Sequence, residues 1–245
     1  MIILDIETVP REDLSQAIIE ERERLIKEKF DKIPDNIVKE ETIEKRRVQN
    51  AIKAKEAIIE LREKDAVDID YAQICAIGFC TDKDWKVKVG TVEKQSELEL
   101  LLKFDKALED EYGPIVTFNG DHFDIPILKR RFMLKNLMVP TLLTLGRNST
   151  IDMMDQLKGH WRSEPKKQDE YALAFGFYIN KEYSDGYKVL QKYRDNDFNW
   201  IKEHLKQDVR ILRDLFMLTA RMGFLRSSEI GTELDRIPNP YTLRY

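Results

Sequence analysis

The chain has 245 residues, of which 42% are hydrophobic and 35% are charged, and its formal net charge is −4 at pH 7. This length suits one substantial core, and no apolar run approaches the roughly 20 residues that a membrane span needs. The negative net charge excludes the overall basic surface of a protein that coats nucleic acid, so any contact with a polyanion has to be local.

The N-terminal residues lack the basic start and the long apolar stretch of a secretion signal, so we expect an intracellular, cytoplasmic protein with no membrane partner. Cys75 and Cys80 are the two cysteines, and their odd separation on one predicted strand places them on opposite faces. They predict neither a disulfide nor a metal site, and we interpret them as small core residues.

The chain begins with a predicted buried strand in which Asp5 and Glu7 share one face. Residues 11–65 form a predicted helical hairpin insertion, because they are rich in charge and their apolar residues recur at helical spacing. A break at 33–36 separates the two helices. We interpret the sparse apolar stripe first as a packing surface, with a lid, a guide for a strand and a dimer contact as alternatives.

Strands and helices alternate in the rest of the chain. Two consecutive strands are predicted at 71–80 and 85–90, followed by an amphipathic helix with Ser96 as its cap. Pro126 suits the first turn of a later helix that is predicted to end near Leu137. The other predicted elements are a strand at 113–119, a strand and helix at 149–157, a helix at 169–177 and a long helix at 199–224. We expect one domain over 1–225 and an irregular tail over 226–245.

Four carboxylates lie in apolar surroundings, and each has an ordinary explanation. Asp5 and Glu7 could mark a strand end that emerges into solvent, and Asp124 could cap the helix that follows it. Asp208 and His204, one helical turn apart, could be a surface pair. Carboxylates that are buried together repel one another and are costly to desolvate, so a cation is their natural partner.

Three motifs occur in a fixed order: "DIET" from Asp5, "FNGDHFDIP" from Phe118, and a histidine four residues before an aspartate in the last helix. Together they resemble the exonuclease motifs of the DEDD (DnaQ-like) 3′–5′ exonucleases. Within that family, the chain most resembles the predicted exonucleases related to the proofreading domain of family-B DNA polymerases. The segments "YAQICAIGF", "TIDMMDQL", "LAFGF", "SDGYKV" and "HLKQDV" extend the resemblance over most of residues 1–10 and 71–225.

The resemblance implies an α/β fold of the RNase H-like type, with a mixed five-stranded sheet, flanking helices and a helical insertion after the first strand. It makes Asp5, Glu7, Asp124 and Asp208 the four catalytic, metal-binding acids. Such hard oxygen ligands suit two Mg²⁺ or Mn²⁺ ions about 4 Å apart, which can activate a water and stabilise the departing 3′ oxygen.

The implied activity is 3′–5′ exonuclease action on single-stranded or frayed DNA, with proofreading or repair in trans as the implied role. The implied partner is nucleic acid with a free 3′ end, DNA rather than RNA, and the sequence names no polymerase or repair partner. One alternative is an RNA-trimming exonuclease, since nothing in the sequence identifies a reader of the 2′-hydroxyl. Another is an inactive nucleic-acid-binding adaptor with the same fold, against which the retention of all four acids argues.

His204 departs from the family pattern. Histidine-type members usually place this residue five positions before the last aspartate and tyrosine-type members four, and His204 lies four before Asp208. At about 100° per residue, four positions leave the two side chains roughly 40° apart around the helix, whereas five give about 140°. We expect His204 to act as a general base or to orient a water, with a helix-surface histidine as the alternative.

The resemblance also implies contacts with the substrate. By analogy with the polymerase domains, Phe118 and Asn119 lie beside the terminal nucleotides, Phe123 stacks or wedges, and Thr8 contacts the terminal nucleotide through its backbone or hydroxyl. Core packing is the alternative for Phe123. Stacking of an aromatic side chain on a base tolerates any sequence and is worth about 1–3 kcal/mol per base.

Two basic clusters, at 129–131 and 166–167, are expected to be mostly solvated, with one or two phosphate contacts, because consecutive helix positions point in different directions. Asp121 and His122 are predicted loop residues without an assigned task.

Overall fold

The computed structural model describes residues 1–34, 39–144, 150–158, 163–225 and 237–242. The chain divides into two compact units. Met1–Val9 with Ile74–Tyr245 form one, here called the sheet unit, and Pro10–Gln73 form the other, here called the helical unit.

The sheet unit is built on a five-stranded sheet with the strand order β3-β2-β1-β4-β5. The strands are β1 (Ile2–Pro10), β2 (Ala72–Thr81), β3 (Lys88–Thr91), β4 (Ile115–Thr117) and β5 (Thr150–Asp152). β4 pairs in parallel with both β1 and β5, whereas β2 and β3 are antiparallel. The predicted mixed five-stranded sheet is therefore confirmed.

The central strand β1 explains how two carboxylates come to lie on one face. Its apolar residues from Ile2 to Leu4 and Ile6 are buried, as expected of a strand that is covered on both faces. Asp5 and Glu7 are only half-buried, at alternate positions along the same strand. Because side chains alternate between faces, both carboxylates project to the same side of the sheet.

Helices flank the sheet, as predicted. Their bounds are α3 (Glu97–Leu108), α4 (Asp124–Leu134), α5 (Thr141–Thr144), α6 (Met153–Lys158), α7 (Gln168–Ala174), α8 (Val189–Arg194) and α9 (Phe198–Arg221). Ser96 caps α3 as predicted: its hydroxyl accepts the Glu99 amide at 3.2 Å, and the Glu99 carboxylate accepts the Ser96 amide at 2.7 Å. This reciprocal arrangement satisfies two backbone donors that the first helical turn leaves unpaired.

α4 ends at Leu134 rather than near Leu137. Asn136 adopts a left-handed conformation with φ 55°, and its amide donates to the Met133 carbonyl at 3.0 Å. The amide of Leu137 folds back to the Phe132 carbonyl at 2.9 Å. These two bonds form a Schellman motif, which satisfies the last carbonyls and stops the helix.

The long helix α9 packs directly on β2. The side chain of Asp197 accepts the Trp200 amide at 3.2 Å and so caps the first turn. A Cβ atom at Gly78 would lie 2.8 Å from side-chain atoms of Leu205 and Val209, so glycine is required for this close approach. This contact packs α9 closely against β2, the strand next to β1. Cys75 and Cys80 on β2 are buried free thiols, as predicted.

The helical unit contains α1 (Gln16–Phe30) and α2 (Glu40–Lys64), which pack on each other. Residues 35 and 36 of the predicted break lie outside the described residues. The guanidinium of Arg22 lies 3.6 Å from the centre of the Tyr71 ring and binds Asp65 at 2.6 and 2.8 Å. Several members of the predicted apolar stripe are exposed, among them Ile18, Leu25, Val48, Ile52 and Ile59.

In the described ranges, no helix is both long and apolar enough to span a membrane. Most of the predicted irregular tail, residues 226–236 and 243–245, lies outside those ranges. Its described part, 237–242, packs on the sheet unit: Ile237 is buried, and the Tyr241 hydroxyl donates to the Phe175 carbonyl at 2.7 Å.

Candidate active site

Four carboxylates and one imidazole meet above β1. Asp5 and Glu7 project from β1, Asp124 opens α4, and His204 and Asp208 lie one turn apart on α9. Ligand atoms of Glu7, His204 and Asp208 all lie within 4.8 Å of one another. The side chains of Asp5 and Asp124 share a hydrogen bond, and Asp5 also feels the charge of Asp208. The structure thus brings together all five residues that the resemblance implied to be catalytic.

The Asp124 carboxylate reaches across to β1. Its Oδ1 accepts the backbone amide of Ile6 at 3.0 Å, across 118 residues of sequence. The N-cap position of α4 is Phe123, which makes no capping hydrogen bond through its side chain. The alternative explanation of Asp124 as the cap of α4 is therefore wrong, because Phe123 holds the N-cap position and the Asp124 carboxylate bonds to the central strand.

Burial dominates the electrostatics of the acids. It raises the pKa of Asp5 well above the usual range, and the charges of Asp208 and Glu7 raise it further. Burial, and then the charge of Asp5, raise the pKa of Asp124 in the same way. Burial also raises the pKa of Asp208 to about 7, although the nearby His204 opposes the shift. Ionising all three of these carboxyl groups at once is therefore costly unless positive charge is added beside them.

His204 is held on three sides and is only 3% exposed. Its Nδ1 lies 2.6 Å from the carbonyl oxygen of Tyr183, and its Nε2 lies 3.0 Å from Glu7 Oε1 and 3.4 Å from Asp208 Oδ2. Burial lowers the pKa of His204, but the hydrogen bond and charge of Glu7 and the charge of Asp208 outweigh it and raise the pKa to about 10. This burial excludes the alternative of a solvent-exposed helix histidine.

Trp200 supports His204, and sequence reasoning missed it. The two rings stack with their centres 5.0 Å apart and an interplanar angle of 25°. The indole Nε1–H donates to the Glu182 carbonyl at 3.2 Å, beside the Tyr183 carbonyl that faces the imidazole. Trp200 lies four residues before His204, so the helical spacing that pairs His204 with Asp208 could also have indicated it.

Asp152 at the end of β5 organises the loop from Phe118 to Phe123, and sequence reasoning missed this role too. Its carboxylate accepts the amides of Asn119 at 2.8 Å, Met154 at 3.0 Å and Asp121 at 3.3 Å. Asn119 adopts a left-handed conformation with φ 63°, which asparagine tolerates better than most residues. β4 and β5 are parallel neighbours, so the carboxyl end of β5 lies beside the loop that leaves β4.

The residues predicted to contact the substrate differ in burial and in their position relative to the acids. Phe118 is half-buried and packs edge-to-face on Tyr171, with ring centres 6.1 Å apart, and Phe123 is half-buried at the start of α4. Thr8 is buried and, by strand alternation, lies on the face opposite Glu7. The predicted contact through the Thr8 hydroxyl is therefore not favoured by the structure, whereas Phe118, Asn119 and Phe123 directly precede Asp124 in the loop that leads into α4.

One of the basic residues predicted to be solvated is wholly buried. Arg131 is 0% exposed, and its Nε donates to Glu97 Oε1 at 2.7 Å. Lys135 Nζ also lies 3.2 Å from Glu97 Oε2. The expectation of a solvated or phosphate-binding Arg131 is wrong, because a buried acid on α3 pairs with it. Lys166 and Lys167, by contrast, are exposed.

A further acid lies at the start of α7. Asp169 is half-buried, burial raises its pKa, and its charge in turn raises the pKa of Asp208. Its neighbour Gln168 donates through Nε2 to the Asp208 carbonyl at 2.8 Å, which ties α7 to the catalytic turn of α9.

Comparison with known proteins places the chain in a family. A sequence model of the family described as "Predicted 3'-5' exonuclease related to the exonuclease domain of PolB" matches residues 64–233. No curated protein matches the chain.

The solved structures include a similar fold in the family B DNA polymerase from the hyperthermophilic archaeon Pyrobaculum calidifontis, with a TM-score of 0.54 and 17% sequence identity. The match covers 71% of this chain and 25% of the polymerase chain, so the chain corresponds to about a quarter of that protein. At this identity the likeness shows the fold, which is the predicted RNase H-like exonuclease fold. The family model spans well over half of the sequence, and the chain therefore belongs to the predicted 3′–5′ exonucleases related to the exonuclease domain of PolB.

Proposed function

We propose that the protein is a metal-dependent 3′–5′ exonuclease that removes nucleotides from the 3′ end of single-stranded or frayed DNA. The observation that carries the proposal is the convergence of Asp5, Glu7, Asp124 and Asp208 around a buried His204. Membership in a family of predicted 3′–5′ exonucleases supports the reaction class. DNA is favoured over RNA because the family is related to the exonuclease domain of a polymerase, and the similar fold belongs to a DNA polymerase.

The donor set fits divalent cations. Carboxylate oxygens are the ligands that Mg²⁺ and Mn²⁺ prefer, and raised pKa values among neighbouring buried acids indicate a group that gains from added positive charge. Asp5, Glu7, Asp124 and Asp208 would hold two such ions. Once bound, the ions would supply Lewis-acid polarisation of the phosphate and lower the pKa of a water.

In this proposal, His204 would handle the proton of the attacking water. Its Nδ1–H donates to the Tyr183 carbonyl, which fixes the ring and leaves Nε2 facing the carboxylates. The charges of Glu7 and Asp208 raise the pKa of His204, so Nε2 carries a proton while both carboxylates are free. Cations held by Glu7 and Asp208 would offset those charges, and Nε2 could then accept the proton as the water attacks the phosphorus. The stack on Trp200 keeps the imidazole from rotating away. The four-residue spacing from Asp208 suits this task because it puts both groups on the same side of α9.

The loop from Phe118 to Phe123 would receive the terminal nucleotide. Asp152 fixes its backbone, which leaves the side chain of Asn119 for a sugar or base and the ring of Phe123 for stacking. Thr8 would contribute through its backbone. We infer an intracellular role in proofreading or repair, which the polymerase relationship supports.

The direct test uses 5′-labelled single-stranded DNA and RNA of one sequence, each incubated with Mg²⁺ or Mn²⁺. We expect a ladder of products shortened by one nucleotide at a time, formed faster from DNA. Asp5→Asn and Asp124→Asn should abolish the ladder, whereas Asp155→Asn, which changes an exposed acid on α6, should leave it intact. If the unmodified protein yields no ladder with either ion, the enzyme proposal fails, and faster decay of RNA would reassign the substrate.

A measurement without turnover tests the cation site separately. In chelator, Asp5→Asn should raise the urea midpoint of unfolding, because it removes one of several buried carboxylates that repel one another. With Mg²⁺ or Mn²⁺ present, the midpoint of Asp5→Asn should no longer exceed that of the wild type, because only the wild type gains the full free energy of cation binding. An advantage that persists unchanged at saturating metal would contradict the assignment of Asp5 as a ligand.

A further inference from the structure

Two segments that the proposed reaction does not use border His204 and Asp208. The first is the 3₁₀ turn Gly186–Lys188, where a Cβ atom added to Gly186 would lie 3.6 Å from His204 Nε2. The second is the start of α7, which Gln168 ties to the Asp208 carbonyl at 2.8 Å. Both segments therefore lie at the rim of the site, next to the residue that would manage the water.

An exposed aromatic ring and a lysine project from these two segments. Tyr187 is 89% exposed, although the next helix, α8, begins immediately after the turn with the buried Val189. The backbone of Tyr187 is thus anchored while its ring lies in solvent. The Nζ of Lys167 lies 5.6 Å from the centre of that ring, a cation–π geometry that brings the two segments together.

We propose that Tyr187 and Lys167 bind the substrate strand beside the scissile phosphate, with the Tyr187 ring stacking on a base and Lys167 Nζ pairing with a phosphate. The ligand is single-stranded nucleic acid, and this assignment rests on the proposed exonuclease function. Gly186 lets the turn that carries Tyr187 approach His204 Nε2 closely, so a strand held on this platform would lie next to the proposed catalytic residues.

Charge and exposure both favour this occupant. The chain carries a net charge of −4, so attraction for a polyanion has to come from local groups, and Lys166 and Lys188 are exposed beside the pair. An exposed tyrosine contributes little to folding, but an aromatic face beside a positive charge suits a nucleotide, which offers a base and a phosphate at a similar spacing. Stacking tolerates any base, as an enzyme that shortens any sequence requires.

Binding without catalysis is the first test. Affinity of the protein in chelator for 5′-fluorescein-labelled dT₁₂ and U₁₂ would be measured by fluorescence anisotropy. Tyr187→Ala should weaken binding by about 5- to 150-fold, the effect of losing one stacked base, while Tyr187→Phe should bind like the wild type. Tyr112→Ala is the matched control, because Tyr112 is also a tyrosine with 82% exposure and lies just before β4, at the end of that strand remote from the acids.

Lys167→Gln should reduce the slope of log affinity against log salt by about 1, the contribution of one phosphate contact. The platform is refuted if Tyr187→Ala binds both oligonucleotides within twofold of the wild type, or if Tyr187→Phe is as weak as the alanine variant. Weakening of dT₁₂ alone or of U₁₂ alone would also overturn it, because stacking does not distinguish the two sugars.

Gly186→Ala tests the close approach of this turn to His204. The backbone at Gly186 is not in the left-handed region and the added methyl meets His204 at an ordinary contact distance, so folding and binding of dT₁₂ should survive. We expect kcat to fall at least tenfold at unchanged affinity, since the methyl occupies the space beside Nε2 that the attacking water would need, and an unchanged kcat would refute the placement of this turn beside the reacting groups. Binding of oligonucleotide without cleavage by the wild type would refute the exonuclease alone, whereas cleavage with normal KM in Tyr187→Ala would refute the platform alone.

Discussion

Replacing Asp152 should detach the substrate loop from the sheet. Its carboxylate accepts three backbone amides, those of Asn119, Met154 and Asp121, at 2.8, 3.0 and 3.3 Å, and the side chain is buried. Asp152→Ala would leave these donors without their acceptor. A hydrogen bond to a charged group is worth about 1.5–3 kcal/mol.

Counting only the two short bonds, and allowing water to reach the half-buried Asn119, we expect a loss of about 2–4 kcal/mol in the free energy of unfolding. Asp152→Asn keeps one acceptor oxygen and should lose about half as much. The KM for oligonucleotides should rise in both variants, because the loop that precedes Asp124 loses its fixed conformation.

Urea unfolding followed by tryptophan fluorescence measures the stability, and initial cleavage rates give KM. Asp155→Ala is the matched control, since Asp155 lies on the first turn of α6 and is exposed. If the free energy of unfolding of Asp152→Ala is within about 0.5 kcal/mol of the wild type, the range of ordinary surface substitutions, the hydrogen bonds of Asp152 do not stabilise the loop. Equal losses in the Asp155 variant would mean that charge, rather than the hydrogen bonds, supports this region.

Three further results are expected. His204→Ala should lower kcat by roughly 10²–10⁴-fold while calorimetry still detects Mn²⁺ binding, and a near-normal kcat would remove His204 from the mechanism. Trp200→Phe keeps a ring against His204 but loses the hydrogen bond to the Glu182 carbonyl, so the free energy of unfolding should fall by about 1 kcal/mol and kcat should stay within threefold of the wild type. A fall in kcat comparable to that of His204→Ala would contradict a purely supporting role for Trp200. Arg131→Met leaves Glu97 buried without its main partner and should destabilise the protein by about 3–5 kcal/mol at unchanged oligonucleotide affinity, whereas weaker binding would show that Arg131 contacts phosphates.

The sequence determined features that depend on neighbours along the chain. The period of two put Asp5 and Glu7 on one face of β1, and the four-residue spacing put His204 beside Asp208 on α9. The cap at Ser96 was also predicted, because all of its atoms lie within one helical turn. The order of the motifs then indicated the family, which the family model confirms.

The distant partners of the remaining side chains depend on the tertiary structure. Asp124 bonds to Ile6 across 118 residues instead of capping its own helix, and Arg131 pairs with Glu97 across 34 residues instead of facing solvent. Asp152 likewise holds Asn119 across 33 residues. Each of these side chains could instead bond to a neighbouring backbone group or to solvent. Which partner it takes depends on how β1, β4, β5 and the helices pack. Local periodicity carries no information on that packing, because burial and hydrogen-bond satisfaction are settled only when all the elements are in place.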